Sequence, residues 1–385
     1  MPNAAHVLGL LAERRNVIIS GPPGTGKSLL LSAIADQFEQ VARAGAAAFE
    51  PRPGIPARAR TVPPLALPTP MQVAHRKVFR TVMHQSSKHR DFLTGVMPDL
   101  RPRAPAGAVG ALPATEAPNA FRIIKGVLYR ASEYARLPDH AALLIIDEIN
   151  RGPAVQVFGG AIVAIEGEKR LADDGSRRPA TQFFELLDPV SGDIVEYALP
   201  SRLYILAAMN QADVSVEPLD VAFLRRWMPV RLEPSAQALR EHFRLGPPAD
   251  LPSEATQSQH IYEAAVKAFE AINARILLGR GPEFQIGHGV FMHPSGNSPT
   301  SLDEAKTHLA TAWTLVRNHV EEAFFGDVRG TAIVLNAGQG VQNHPLALEE
   351  DTFGESPRIL LVGPRTTAPD GIYAMLRAVA AKPTA

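Results

Sequence analysis

Gly21-Pro22-Pro23-Gly24-Thr25-Gly26-Lys27-Ser28 fits the pattern G-x-x-x-x-G-K-[ST], a loop that wraps phosphate groups. Glycine is needed there because backbone N–H groups must close around phosphate oxygens, where a Cβ would obstruct them. Lys27 is suited to neutralise the β- and γ-phosphates, and the Ser28 hydroxyl to ligate Mg²⁺. The neighbouring residues agree with this reading. An apolar run at 16–19 precedes the loop as a buried strand would, and residues 29–41 follow with helical spacing, aiming a helix N-terminus at the anion. Gly21, Pro22, Pro23, Gly24, Thr25, Gly26, Lys27, Ser28 and Leu29 are therefore the expected nucleotide-binding residues.

A second stretch supplies the acids such a site requires. Residues 142–147 read Ala-Leu-Leu-Ile-Ile-Asp, and Glu148 follows. An apolar run ending in two carboxylates suits a central parallel strand that delivers acids to the carboxyl edge of a sheet. Asp147 is the expected second Mg²⁺ ligand, and Glu148 the residue that polarises the attacking water. Another buried strand is expected at 203–209, ending in Asn210, which is either a turn former or the residue that orients water or the γ-phosphate. Arg225 and Arg226 end a short predicted helix. They either cap its dipole or reach the phosphate of a neighbouring copy.

Bulk properties narrow the class. The chain has 385 residues, 39 Lys and Arg against 39 Asp and Glu, and no cysteine. The length allows two or three domains, and the missing cysteines exclude disulfides, thiolate metal sites and a cysteine nucleophile. With no apolar run long enough to span a bilayer and no signal-peptide pattern at the N-terminus, a cytoplasmic protein with no membrane partner is expected. The charge is uneven. Residues 43–103 hold eleven Lys and Arg against three acids, a basic region that is either a solvated face or a nucleic-acid contact.

Composition also marks boundaries. Residues 44–70 and 101–118 are crowded with Pro, Ala and Arg, without sustained periodicity, and read as insertions. A strand is expected at 77–84, amphipathic helices at 121–136 and 155–166, and a hairpin at 183–197. From 235 the period turns helical, over 235–243, 255–278 and 301–325. The expected division is a nucleotide-binding core over 1–233, a helical lid over 234–329 and a C-terminal extension over 330–385.

Four motifs together carry a family resemblance: the loop at 21–28, Ile-Ile-Asp-Glu-Ile-Asn-Arg-Gly at 145–152, Met-Asn-Gln-Ala-Asp at 209–213 and Phe-Gln-Ile-Gly-His at 284–288. The chain resembles the McrB-like AAA+ NTPases, over roughly residues 7–328. The resemblance implies an α/β fold: a three-layer αβα P-loop core with a parallel sheet, and a C-terminal helical lid. It implies Mg²⁺ and ATP or GTP as cofactors, and a homo-oligomeric ring, commonly a hexamer, with nucleotide between subunits. The implied catalytic set is Glu148, Asn210, Asp213 and Arg226, the last acting on an adjacent subunit; His288 would lie near the phosphates as a sensor or be a lid histidine satisfied by backbone.

Some positions depart from the family pattern. Gln211 and Val214 replace the usual Thr and Arg, Gly160 stands where an acid is common, and the arginine run is shortened to Arg225-Arg226 before Trp227. With the phosphate loop only twenty residues in, no N-terminal DNA-recognition domain is expected, and target recognition would fall to a partner such as a McrC-like nuclease subunit. Two other readings remain. One is a MoxR-like or dynein-related chaperone remodelling proteins; the other is a nucleotide-gated scaffold with weak turnover.

Overall fold

The computed structural model describes residues 2–39, 67–99, 121–212, 219–337 and 344–381. Helix α1 (Ala4–Arg14) is opened by Asn3, whose side chain accepts from the His6 N–H at 2.9 Å. It leads into β1 (Asn16–Ser20), and the phosphate loop joins β1 to α2 (Lys27–Glu39). Strand β2 (His75–Val82) follows, then the short α3 (His89–Phe92) and an antiparallel pair, β3 (Thr94–Pro98) with β4 (Phe121–Lys125). Helix α4 (Val127–Ala135) leads to β5 (His140–Asp147), and α5 (Ala154–Phe158) to a hairpin of β6 (Phe184–Leu187) and β7 (Ile194–Tyr197). Then come β8 (Leu203–Met209), α6 (Val221–Leu224) and β9 (Met228–Arg231).

Five of these strands form one parallel sheet in the order β2-β5-β8-β1-β9. Parallel sheets need both faces covered, which is why β1 and β8 are apolar at nearly every position and buried throughout. One face packs α1 and α2 through Val7, Leu11, Ile34 and Phe38. The other packs α4, α5 and the β9 approach through Leu128, Val157, Phe158 and Trp227. This is the expected three-layer αβα core.

The chain then becomes helical: α7 (Ala236–Phe243), α8 (Ser258–Gly279), α9 (Leu302–Ala323) and α10 (Val328–Val334). A ribbon of β10 (Ala347–Phe353) and β11 (Ser356–Val362) precedes α11 (Ile372–Ala380), which lies against α8. Leu239, Phe269, Trp313 and Leu376 share one apolar cluster, and Arg275 of α8 donates to the Val379 carbonyl at 2.9 Å.

Two elements differ from expectation. The helix predicted over 121–136 begins only after Gly126, because Phe121–Lys125 is strand β4. Ile123 and Ile124 favour the extended form. At Gly126 a Cβ would fall 2.3 Å from the Phe92 carbonyl carbon, so only glycine permits this approach. The helix predicted over 155–166 is α5 alone, because Gly159 turns to φ +50° and a 3₁₀ segment, Gly159–Val163, follows. Of the insertion expected at 44–70, residues 44–66 lie outside the described residues, while Leu67 is buried and a 3₁₀ segment, Thr69–Met71, begins within it; the insertion expected at 101–118 also lies outside the described residues. No helix among the described residues is long and apolar enough to cross a membrane.

Candidate nucleotide site

Strand β1 runs directly into the phosphate loop at the carboxyl edge of the sheet, where α2 begins at Lys27. Gly21, Gly24 and Gly26 take φ of +155°, +78° and +87°, values that L side chains resist. At Gly21 the reason is also steric, since a Cβ would meet the Leu232 carbonyl oxygen at 2.4 Å. The Thr25 hydroxyl donates to the Pro22 carbonyl at 2.8 Å, and Lys27 Nζ to the Gly21 and Pro22 carbonyls at 2.6 and 3.0 Å. Burial lowers the Lys27 pKa, while the charges of Glu148 and Asp147 oppose that shift. Leu29, in the first turn of α2, is exposed.

Asp147 closes β5, and its Oδ1 accepts from the Glu148 N–H at 3.0 Å. Glu148 adopts a left-handed conformation, φ 52° and ψ 42°, which costs a non-glycine residue about 1 kcal/mol. Its Oε2 lies 3.2 Å from Arg151 Nε, close enough for an ion pair but not aligned for a hydrogen bond. Ser28 and Asp147 line a common cavity of about 240 Å³ with Ser32, Arg80 and Thr81. One hydroxyl and one carboxylate suit Mg²⁺, which keeps much of its shell as water and phosphate oxygen.

Asn210 follows β8, beside the same edge. Its carbonyl accepts from Asn150 Nδ2 at 2.8 Å, and the Oδ1 atoms of Asn150 and Asn210 are both buried with no hydrogen-bond partner among the described residues. Two orphaned acceptors beside Glu148 are suited to a donor such as water. Asn150 was not singled out from sequence, although it sits inside the motif at 145–152. Asp213 lies outside the described residues.

Other cations are sorted by burial. Arg226 is engaged within its own chain: Nε is 3.1 Å from Glu166 Oε1, Nη1 donates to the Ala222 carbonyl, and its own carbonyl accepts from Asn16 Nδ2 at 3.3 Å. Arg225 is exposed, and no other described residue pairs with its guanidinium. Within the basic region, Arg76 is buried and donates to the carbonyls of Phe38, Met71 and Val73, so it belongs to the core rather than to a charged face.

His288 is buried, and its Nδ1 accepts from the Ser235 N–H at 3.3 Å; burial lowers its pKa. The residues flanking it touch the phosphate loop directly. The Gly287 N–H donates to the Pro23 carbonyl at 2.9 Å and the Gly289 N–H to the Gly24 carbonyl at 2.8 Å. A Cβ at Gly287 would fall 2.1 Å from the Gly24 carbonyl carbon, and one at Gly289 2.8 Å from the Gly24 oxygen. Sequence reading missed both residues; the paired glycines around His288 were the available signal.

Two curated relatives are similar to this chain. The type IV methyl-directed restriction enzyme EcoKMcrB subunit of Escherichia coli is 27% identical over 332 residues, covering 83% of this chain and 56% of the relative. The type II restriction enzyme BsuMI component YdiS of Bacillus subtilis is 38% identical over 88 residues, covering 22% of this chain and 25% of the relative. The chain thus spans about half the length of the first and a quarter of the second. No family model matches. A solved structure from Cytophaga hutchinsonii overlays with a TM-score of 0.30 at 12% identity, over 83% of this chain and 73% of that one, too loosely to carry an argument. With the motifs at 21–28 and 145–152 at one edge of a five-stranded parallel sheet, and similarity to the EcoKMcrB subunit over 83% of its length, this chain resembles the McrB-like AAA+ proteins.

Proposed function

We propose that the chain is a Mg²⁺-dependent nucleoside triphosphatase, using ATP or GTP, that works as a ring-forming motor in a restriction complex. The observation that carries this reading is the cavity shared by Ser28 and Asp147, where the loop after β1 and the end of β5 meet at one edge of the sheet. In this reading the backbone of 21–28 cradles the phosphates and Lys27 neutralises them. Ser28 and Asp147 hold Mg²⁺, which offsets charge on the phosphate oxygens. Glu148 positions and polarises water, with Asn210 and Asp213 beside it, and His288 acts from the lid.

The ring follows from where the arginines sit. Arg225 precedes β9 at the amino edge of a parallel sheet whose carboxyl edge carries the loop, roughly 13 Å away along four residues of strand. A loop on another copy is its natural target. Exposure supports Arg225 as the trans cation, with Arg226 holding the short helix to Glu166. The names of the two relatives, a restriction enzyme subunit and a restriction enzyme component, support a restriction setting with a partner protein, for which we propose a nuclease-bearing chain.

Glu148→Gln tests the activity. It should keep nucleotide binding and lower turnover by about 10² to 10⁴-fold in a phosphate-release assay. Unchanged turnover would sink the proposal.

A further inference from the structure

Among the residues of the phosphate loop, two cannot donate: Pro22 and Pro23 lack an N–H. Past Gly21, the first backbone donors available to an anion are therefore those of Gly24 and Thr25. Each belongs to a trans peptide plane in which the carbonyl points opposite to the N–H. The carbonyl of Pro23 shares a plane with the Gly24 N–H, and that of Gly24 with the Thr25 N–H. Those two carbonyls are the ones taken by Gly287 and Gly289.

Holding each carbonyl on the lid side turns each N–H to the other side. The remaining carbonyls at the start of the loop, those of Gly21 and Pro22, are occupied by Lys27 and Thr25. The donors of the cradle are thus oriented partly by a segment more than 260 residues away in sequence.

At Ile286 that segment is held at both backbone groups by one side chain. Asn273, buried on α8, accepts from the Ile286 N–H through Oδ1 at 2.7 Å and donates to the Ile286 carbonyl through Nδ2 at 3.0 Å. A planar amide paired at both ends with a single residue sets that residue's orientation, and Gly287 comes next.

We propose that Asn273 is a positioning residue that, through Gly287 and Gly289, presets the Gly24 and Thr25 N–H groups for phosphate. The inference rests on reading 21–28 as the triphosphate site. By linkage, bound phosphate stabilises the lid contact as much as that contact favours phosphate.

The test uses the full chain and two fluorescent probes, N-methylanthraniloyl ATP and GTP with Mg²⁺, together with amide hydrogen exchange at 286–290. Asn273→Ala should weaken binding of the preferred probe by about tenfold and raise KM in step. It should leave kcat within about threefold, because Glu148, Asp147 and Lys27 are untouched. The amides of Gly287 and Gly289 should lose protection. Asn273→Asp, which keeps the acceptor for the Ile286 N–H, should recover part of the affinity. If Asn273→Ala fails to fold, Gly289→Ala carries the same test, since it leaves Asn273 and the lid core in place and should weaken binding likewise.

Wild-type affinity in a folded variant, or undiminished protection at Gly287 and Gly289 in Asn273→Ala, would overturn the inference and leave the triphosphate reading standing. A wild-type chain that binds neither probe would overturn both.

Discussion

Arg226, expected in catalysis, and Arg76, inside the basic stretch 43–103, are both tied down by carbonyls or acids of their own chain. Arg76 looked like part of a basic face because charge counts are blind to burial, yet its guanidinium meets three main-chain oxygens inside the core. Arg76→Ala should leave those acceptors unpaired and lower stability by about 2–4 kcal/mol in urea unfolding. Lys77→Ala and Arg80→Ala, at exposed positions, should stay within about 0.5 kcal/mol of wild type. An unchanged midpoint for Arg76→Ala would mean that the three contacts hold nothing. The placement of Lys27, Asp147 and Glu148 at or just beyond the ends of β1 and β5 was legible because a near-continuous apolar run marks where each strand stops. The geometry of Asn150 was not, because an asparagine is an acceptor, a donor or a turn former until its neighbours are known.

Elements with one dominant pattern were read well. Strands β1, β5 and β8 are near-continuous apolar runs, and both faces of the sheet must bury them. Elements ended by backbone geometry were read poorly. A helical period runs on through Gly159, and only the positive φ there, with the His89 imidazole 2.8 Å from a would-be Cβ, stops α5. The shortness of α5 has a purpose in packing. Phe158, its last residue, places its ring 5.4 Å from Phe92, 5.6 Å from Phe223 and 6.3 Å from Trp227, joining α3, α5 and the α6–β9 turn that carries Arg225. Phe158→Ala should cost about 3–5 kcal/mol, and Phe158→Leu about 1–2, by thermal or urea unfolding. Wild-type stability in both variants would show that the ring cluster contributes little.

At the scale of the whole molecule, the contact of Gly287 and Gly289 with the loop at 21–28 was the least legible feature, because it is made by backbone atoms far apart in the chain. The proposed ring has a direct test: mix Lys27→Ala, with a disabled loop, and Arg225→Ala, with a disabled trans cation. Each alone should lose turnover by about 10³-fold or more, and the mixture should regain a fraction through interfaces that pair an intact loop with an intact arginine. No recovery in co-assembled rings would remove Arg225 from the site.

The residues after β9 also set a pH limit. His242, His288, His308 and His344 all have pKa values below the ordinary 6.5, chiefly through burial. His308 and His293 lower His242 further, as Arg275 does His344. The geometry suits neutral rings. Nε2 of His242 accepts from the His293 N–H at 3.2 Å, Nδ1 of His288 from Ser235 at 3.3 Å, and Nδ1 of His344 from Leu346 at 2.9 Å. Above pH 6.5 these histidines are neutral in both folded and unfolded chains, and the stability they allow is fully present. As the pH falls below 6.5, the unfolded chain takes up protons that the native chain refuses, so stability is lost until the depressed native values are passed. Each histidine contributes up to about 1.4 kcal/mol per pH unit in that window. Urea midpoints should therefore be flat from pH 8 to 7 and decline from pH 6.5 to 5. His242→Gln and His344→Gln should each flatten the decline, and a midpoint that held steady down to pH 5 would contradict the neutral assignment.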